Sequence, residues 1–178
     1  MQNKTDNEYV KNLRSLKISN DSIIYYWWFK SVILPDLLKD LPCDSNKIKY
    51  KIIDDDEYAL LYIGKAINAH NRLVNYHILD KNNFHEKGIV NRRLSSLRQT
   101  LCGLLSLPMS SAKELINEFM DQNCYVEWCF IISSKDLDNL ETKCIRENYL
   151  PLNYQNTLGI LSKEHRKKLK CLKKSVRK

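Results

Sequence analysis

The sequence predicts an α+β domain, a small three-stranded, mainly antiparallel sheet flanked by helices, with helical insertions and a basic C-terminal helix. Three observations lead there. Runs rich in aromatic and β-branched residues recur at Ile23 to Phe29, Tyr58 to Gly64 and Cys124 to Ile132, each of strand length. Segments with apolar residues spaced three and four apart lie between and after them. The composition, 43% hydrophobic and 28% charged with four Gly and four Pro in 178 residues, is that of a globular chain long enough to bury a core.

Taken in order, Ile23 to Phe29 is continuously apolar, as in a strand buried on both faces. The stretch 30–57 reads as an insertion, with a helical turn starting at Pro35. Asp54, Asp55 and Asp56 favour a turn ahead of the second strand, which is expected to pair antiparallel with the first. Asn68 is placed to cap a helix through Ile78. Further helical patterns cover Val90 to Leu105 and Ser111 to Gln122, the latter with Ser110, Ser111 and Glu114 as a capping box. The region around 80–110 is a second insertion. After the third strand, Asp136 to Tyr149 is a helix that must end before Pro151, because proline disfavours helical geometry in the preceding residue. A basic helix spans Ser162 to Ser175, so that residues 1–160 form one domain and 161–178 a basic extension.

The net charge of +8 is local. Residues 1–160 hold 20 Lys and Arg against 20 Asp and Glu, whereas Ser162 to Lys178 holds nine basic residues and only Glu164. Such a tail attracts polyanions without regard to sequence, although a solvated helix end has the same composition. Six cysteines, Cys43, Cys102, Cys124, Cys129, Cys144 and Cys171, show neither a C-x-x-C pair nor zinc spacing, which disfavours a disulfide scaffold and a structural zinc site. No apolar run reaches 18 residues and Met1 to Glu8 is polar, so the expectation is a cytoplasmic protein with no membrane contact.

Two groups of residues carry chemistry. On the helix after the third strand, Leu137, Leu140, Cys144 and Ile145 form an apolar stripe, and Glu141 falls inside it. A carboxylate there needs an ion pair, a route to water or a bound cation. In the second group, Tyr62, Gly64 and Lys65 end a strand, and Arg72 and Tyr76 share a helix face at i and i+4. An Arg beside the sheet can clamp phosphoryl oxygens with paired donors. Each residue alone also reads as a core aromatic, a surface ion pair or a loop charge.

The order and spacing of these residues, from about Ile23 to Asn156, resemble the GIY-YIG nuclease family. Ile23-Ile24-Tyr25 stands at the first motif and Tyr62-Ile63-Gly64 at the second. The run Y-I-G-K-A followed by Asn71-Arg72-Leu73 looks like the N-terminal incision domain of the bacterial excision-repair nuclease. The resemblance assigns the catalytic Arg to Arg72, the His-or-Tyr position to Tyr76, and the metal-binding Glu to Glu141, ahead of Pro151-Leu152-Asn153. Departures are Ile23 in place of glycine and a gap of 37 positions between Tyr25 and Tyr62; a shifted register would substitute Tyr26 for Tyr25.

What the resemblance implies is one-step hydrolysis of DNA phosphodiester bonds. One divalent cation, Mg²⁺ or Mn²⁺, would sit on Glu141. Tyr25 or Tyr62 would help deprotonate the attacking water, aided by Lys65 and Arg72, with Tyr76 in the same group. Gly64 would let the backbone approach a phosphate, with Asn153 at the nucleic acid; apart from the resemblance, Arg92, Arg93 and Arg98 in the second insertion read either as phosphate contacts or as the solvated face of an amphipathic helix, and Lys167 and Lys168 of the basic tail as nucleic-acid contacts. A restriction-type or mobile-element role, with a homodimer as one route to a double-strand cut, fits a chain of this size. The alternative is a DNA-binding protein that retains the fold without catalysis.

Overall fold

A computed structural model describes residues 5–78 and 95–176. It is α+β, with a curled antiparallel sheet flanked by helices, but the sheet has five strands rather than three. The strands are β1 (Thr5–Tyr9), β2 (Ile23–Lys30), β3 (Tyr50–Ile53), β4 (Asp56–Ala66) and β5 (Cys124–Phe130), in spatial order β1-β5-β2-β4-β3. The two additional strands are the edges. β1, of sequence TDNEY, has no apolar alternation, and β3 is four residues long and half exposed, so neither carries the hydrophobic period by which strands are recognised.

The antiparallel pairing of β2 with β4 is as expected, and β3 pairs on the far side of β4 through a tight turn at Asp54 and Asp55. Both aspartates have positive φ, 45° and 68°, the pattern of a hairpin turn whose twist matches that of the strands. Thus the stretch 30–57 delivers a short helix, α1 (Leu34–Leu37), and an edge strand back to the same sheet.

The remaining helices are α2 (Asn71–Ile78), α3 (Ser96–Leu104), α4 (Lys113–Asn123), α5 (Leu137–Arg146) and α6 (Lys163–Ser175). Asn68 Oδ1 accepts from the Asn71 N–H at 2.8 Å, as expected of the cap, and Ser162 caps α6. The capping box at Ser110 and Ser111 does not form: α4 begins at Lys113 with Ala112 in the cap position. Among the described residues no helix is long and apolar enough to cross a membrane.

The sheet is covered on both faces. One core contains Tyr25, Trp27, Phe29, Leu61, Tyr62, Leu73, Leu101 and Leu169; the other contains Ile24, Trp28, Leu60, Ile63, Leu137 and Ile145 beneath α5. α6 lies on α3, where Gly103 allows close approach: a Cβ there would come within 2.8 Å of Leu172 Cβ. His165, Leu169 and Val176 are buried, so the basic segment is an amphipathic helix seated on the domain.

Candidate active site

Side chains alternate between the faces of a strand, so Tyr25, Trp27 and Phe29 of β2 share one face. In β4, Ala59 and Leu61 occupy that face, and regular alternation would send Tyr62 to the other. A bulge opposite Trp27 and Trp28 resets the parity, leaving Leu61 and Tyr62 in the same core. The bulge therefore brings the two motif tyrosines together, with ring centroids 6.5 Å apart and planes 29° from parallel. The segment after α5 supports it: Leu152 N–H donates to Leu61 O at 3.1 Å, and Asn153 Oδ1 and Nδ2 bond Ile63 N and O at 2.9 and 2.8 Å.

Asn153, expected at the nucleic acid, is thus 4% exposed with both amide atoms occupied by the β4 backbone. Its replacement by alanine would leave a buried N–H and C=O without partners, a loss of about 3 kcal/mol. Asn153→Ala is expected to melt roughly 6 to 12 °C below wild type in a thermal scan. An unchanged melting temperature would count against the clamp. Gly64, also expected to touch DNA, is paired with Tyr25 across the strands and covered by its ring. A Cβ there would lie 2.6 Å from Tyr25 Cζ, so the missing side chain makes room for the phenol.

Arg72 enters from α2, whose backbone is π-helical. Its Nε donates to Tyr25 Oη at 3.0 Å, and Tyr62 lies within reach of the same guanidinium. No carboxylate pairs with Arg72 among the described residues; the adjacent phenol oxygens favour its charged form. Burial pushes both tyrosines above their usual range; Arg72 opposes the shift and the Glu141 charge adds to it.

The wider turn of α2 alters which residue accompanies Arg72. With hydrogen bonds from i to i+5, each turn holds more than the 3.6 residues of an α-helix, so position i+5 comes closer to the Arg72 face than it would in an α-helix. Tyr76, the residue expected beside Arg72, is half-buried and, among the described residues, joins none of the hydrogen bonds around Tyr25. His77 takes that place. It is fully buried, with Nε2 3.1 Å from Tyr25 Oη and Nδ1 2.8 Å from Ser95 Oγ, and its ring meets Tyr25 and Trp27 edge-on. Burial, reinforced by the charges of Arg72 and Arg98, holds its pKa well below the usual histidine range. The sequence reading missed His77 because it assumed a 3.6-residue period.

Lys65 and Glu141 complete the group. Lys65 Nζ lies 2.8 Å from Glu141 Oε2 and also pairs with Asp138, on the exposed side of α5. Glu141, with a side chain 17% exposed, therefore has the ion pair that its place in the apolar stripe demands. Among the described residues no cluster of three or more His, Cys, Asp or Glu side chains could hold a metal. The donor set fits a hard cation held by one carboxylate and water, as Mg²⁺ is often held, and Asp138 offers Lys65 an alternative partner.

The remaining DNA-contact expectations divide. Arg92 and Arg93 lie outside the described residues. Arg98 is 1% exposed, and its guanidinium donates to His77 O, Asn117 Oδ1 and Lys113 O at 2.8, 2.7 and 3.2 Å, so it ties α3 to α2 and α4 rather than facing a phosphate. Lys167 and Lys168 are exposed on α6.

A family model described as the GIY-YIG catalytic domain matches residues 23–175. No curated protein and no solved structure matches.

Proposed function

Because the chain belongs to the GIY-YIG catalytic-domain family, we propose that it is a DNA endonuclease that hydrolyses phosphodiester bonds with one divalent cation, Mg²⁺ or Mn²⁺, held at Glu141. The observation that carries this reading is Arg72: a part-buried cation with no carboxylate partner among the described residues, bonded through Nε to one of two adjacent phenols, on both of which the charge of Glu141 also acts. The remaining N–H groups of its fork suit a phosphate. A cation on Glu141 would offset charge on the leaving 3′ oxygen. Arg72 would hold the phosphoryl oxygens, and a tyrosine of the Tyr25–Tyr62 pair would take the proton of the attacking water.

The test is cutting of supercoiled plasmid with Mg²⁺ or Mn²⁺, with an EDTA control. Metal-dependent nicking or linearisation supports the proposal, and discrete fragments would favour restriction-type specificity. Linear product formed without a nicked intermediate would favour a homodimer at the site. Salt-sensitive DNA binding with no cutting would favour the alternative, a fold retained for binding.

Two expectations accompany it. Since both phenols titrate above their usual range, the basic form of either is scarce at neutral pH. The kcat should therefore rise about tenfold per pH unit between roughly pH 6.5 and 9; a flat profile would remove a tyrosine from the proton transfer. For binding, Lys167→Glu with Lys168→Glu tests α6 without uncovering Leu169. DNA affinity should fall about tenfold or more at low salt, with a shallower dependence on salt, as read by fluorescence anisotropy. An unchanged slope would remove α6 from the interface.

A further inference from the structure

Lys65 already holds the carboxylate at which the proposed cation would sit. Its Nζ lies 2.8 Å from Glu141 Oε2, whereas a hard divalent cation binds a carboxylate oxygen at about 2.1 Å and keeps several waters around it. An ammonium and a hydrated cation do not fit on that oxygen together, and their like charges repel at such short range. Glu141 must therefore exchange one positive charge for another, and the ease of the exchange depends on where the ammonium goes. A second carboxylate is in place to receive it. Asp138 and Glu141 are three residues apart on α5 and share a helix face, and Lys65 Nζ, from the end of β4, pairs with both. Their settings differ: the Glu141 side chain is 17% exposed and that of Asp138 84%. An ammonium shifted wholly to Asp138 thus stays in water, while Glu141 is freed in its apolar stripe.

We infer that Lys65 and the divalent cation compete for Glu141, and that Asp138 is a positioning residue that takes the Lys65 ammonium when the cation takes Glu141. The inference rests on the reading that places a cation at Glu141. It assigns the three side chains different effects on metal affinity. Glu141 supplies the ligand. Lys65 opposes binding, because its pair with Glu141 must open first. Asp138 favours binding, but only through Lys65: its own charge is largely in water, where salt screens its pull on a cation held elsewhere. If the Lys65 charge is removed, Asp138 has no ammonium to draw away and its contribution disappears.

The test is Mn²⁺ binding to the full chain without DNA, followed by loss of the free-ion EPR signal at about 0.15 M salt, in a double-mutant cycle. Lys65→Gln, which can still donate hydrogen bonds to a carboxylate but carries no charge, should bind Mn²⁺ about tenfold more tightly than wild type. Asp138→Asn alone should bind about fivefold more weakly, the upper end of what an exposed ion pair contributes. In the Lys65→Gln background the same substitution should change the affinity by less than about twofold, the margin within which independent effects add. An Asp138→Asn effect of equal size in both backgrounds would overturn the inference, because Asp138 would then act by its charge alone. A Lys65→Gln affinity equal to wild type would overturn it as well. Glu141→Gln tells the two readings apart: Mn²⁺ affinity unchanged in that variant would remove the cation from Glu141 and end both, whereas binding lost in Glu141→Gln but indifferent to Lys65 would end this inference alone. In cutting, Asp138→Asn should raise the Mg²⁺ concentration at half-maximal rate about fivefold, with kcat at saturating Mg²⁺ within about twofold of wild type. A kcat deficit that excess Mg²⁺ does not restore would contradict a role exerted through metal affinity.

Discussion

Arg72→Ala is expected to lower kcat about 1,000-fold or more, the scale on which removal of a charged donor to phosphoryl oxygens acts. Arg72 gives Nε to Tyr25 and sits where burial disfavours any charge, so its interaction with a phosphate is strengthened by the low local dielectric. Arg72→Lys should recover only part of the loss. An ammonium supplies the charge, but it cannot bond the phenol through one nitrogen and a phosphate through others in a fixed plane. Single-turnover cutting at saturating DNA separates this from binding: the alanine variant should bind with Kd within about tenfold of wild type, since one phosphate contact among several is lost. Undiminished single-turnover rates would exclude Arg72 from the reaction.

How much of this was legible in the sequence depended on whether a local signal existed. The central strands were, because β2 and β5 are dense in aromatic and β-branched residues and the body of β4 in apolar ones. The edge strands were not, because edges are polar by necessity and TDNEY looks like a terminus. Lys65, Arg72 and Glu141 were legible as an ordered set, and the stripe argument alone required a partner for Glu141, which is Lys65. The bulge that turns Tyr62 onto the Tyr25 face has no sequence mark; it depends on Leu152 and Asn153, 90 residues away, which hold the β4 backbone. Arg98 shows the converse. A charged residue between Leu97 and Leu101 reads as solvated, and its burial becomes intelligible only when His77 O, Asn117 and Lys113 O are seen to surround it.

Glu141→Gln is expected to abolish metal-dependent cutting while leaving DNA binding intact or slightly tighter. The substitution keeps the shape of the side chain and removes its charge, so a site built on one carboxylate loses the ligand that attracts a hard cation. The fold should tolerate it, because Lys65 retains Asp138 and the side chain reaches water at 17% exposure. Binding should not weaken, since removing a negative charge beside the site lessens repulsion of a polyanion. The tyrosines add an independent readout. Glu141 raises the titration of both Tyr25 and Tyr62, so its neutralisation should move tyrosine ionisation, followed by absorbance near 295 nm, to lower pH. Cutting by Glu141→Gln at the wild-type rate in Mg²⁺ would sink the metal assignment. Loss of cutting together with an unshifted tyrosine titration would keep the cation at Glu141 but separate that carboxylate from the two phenols.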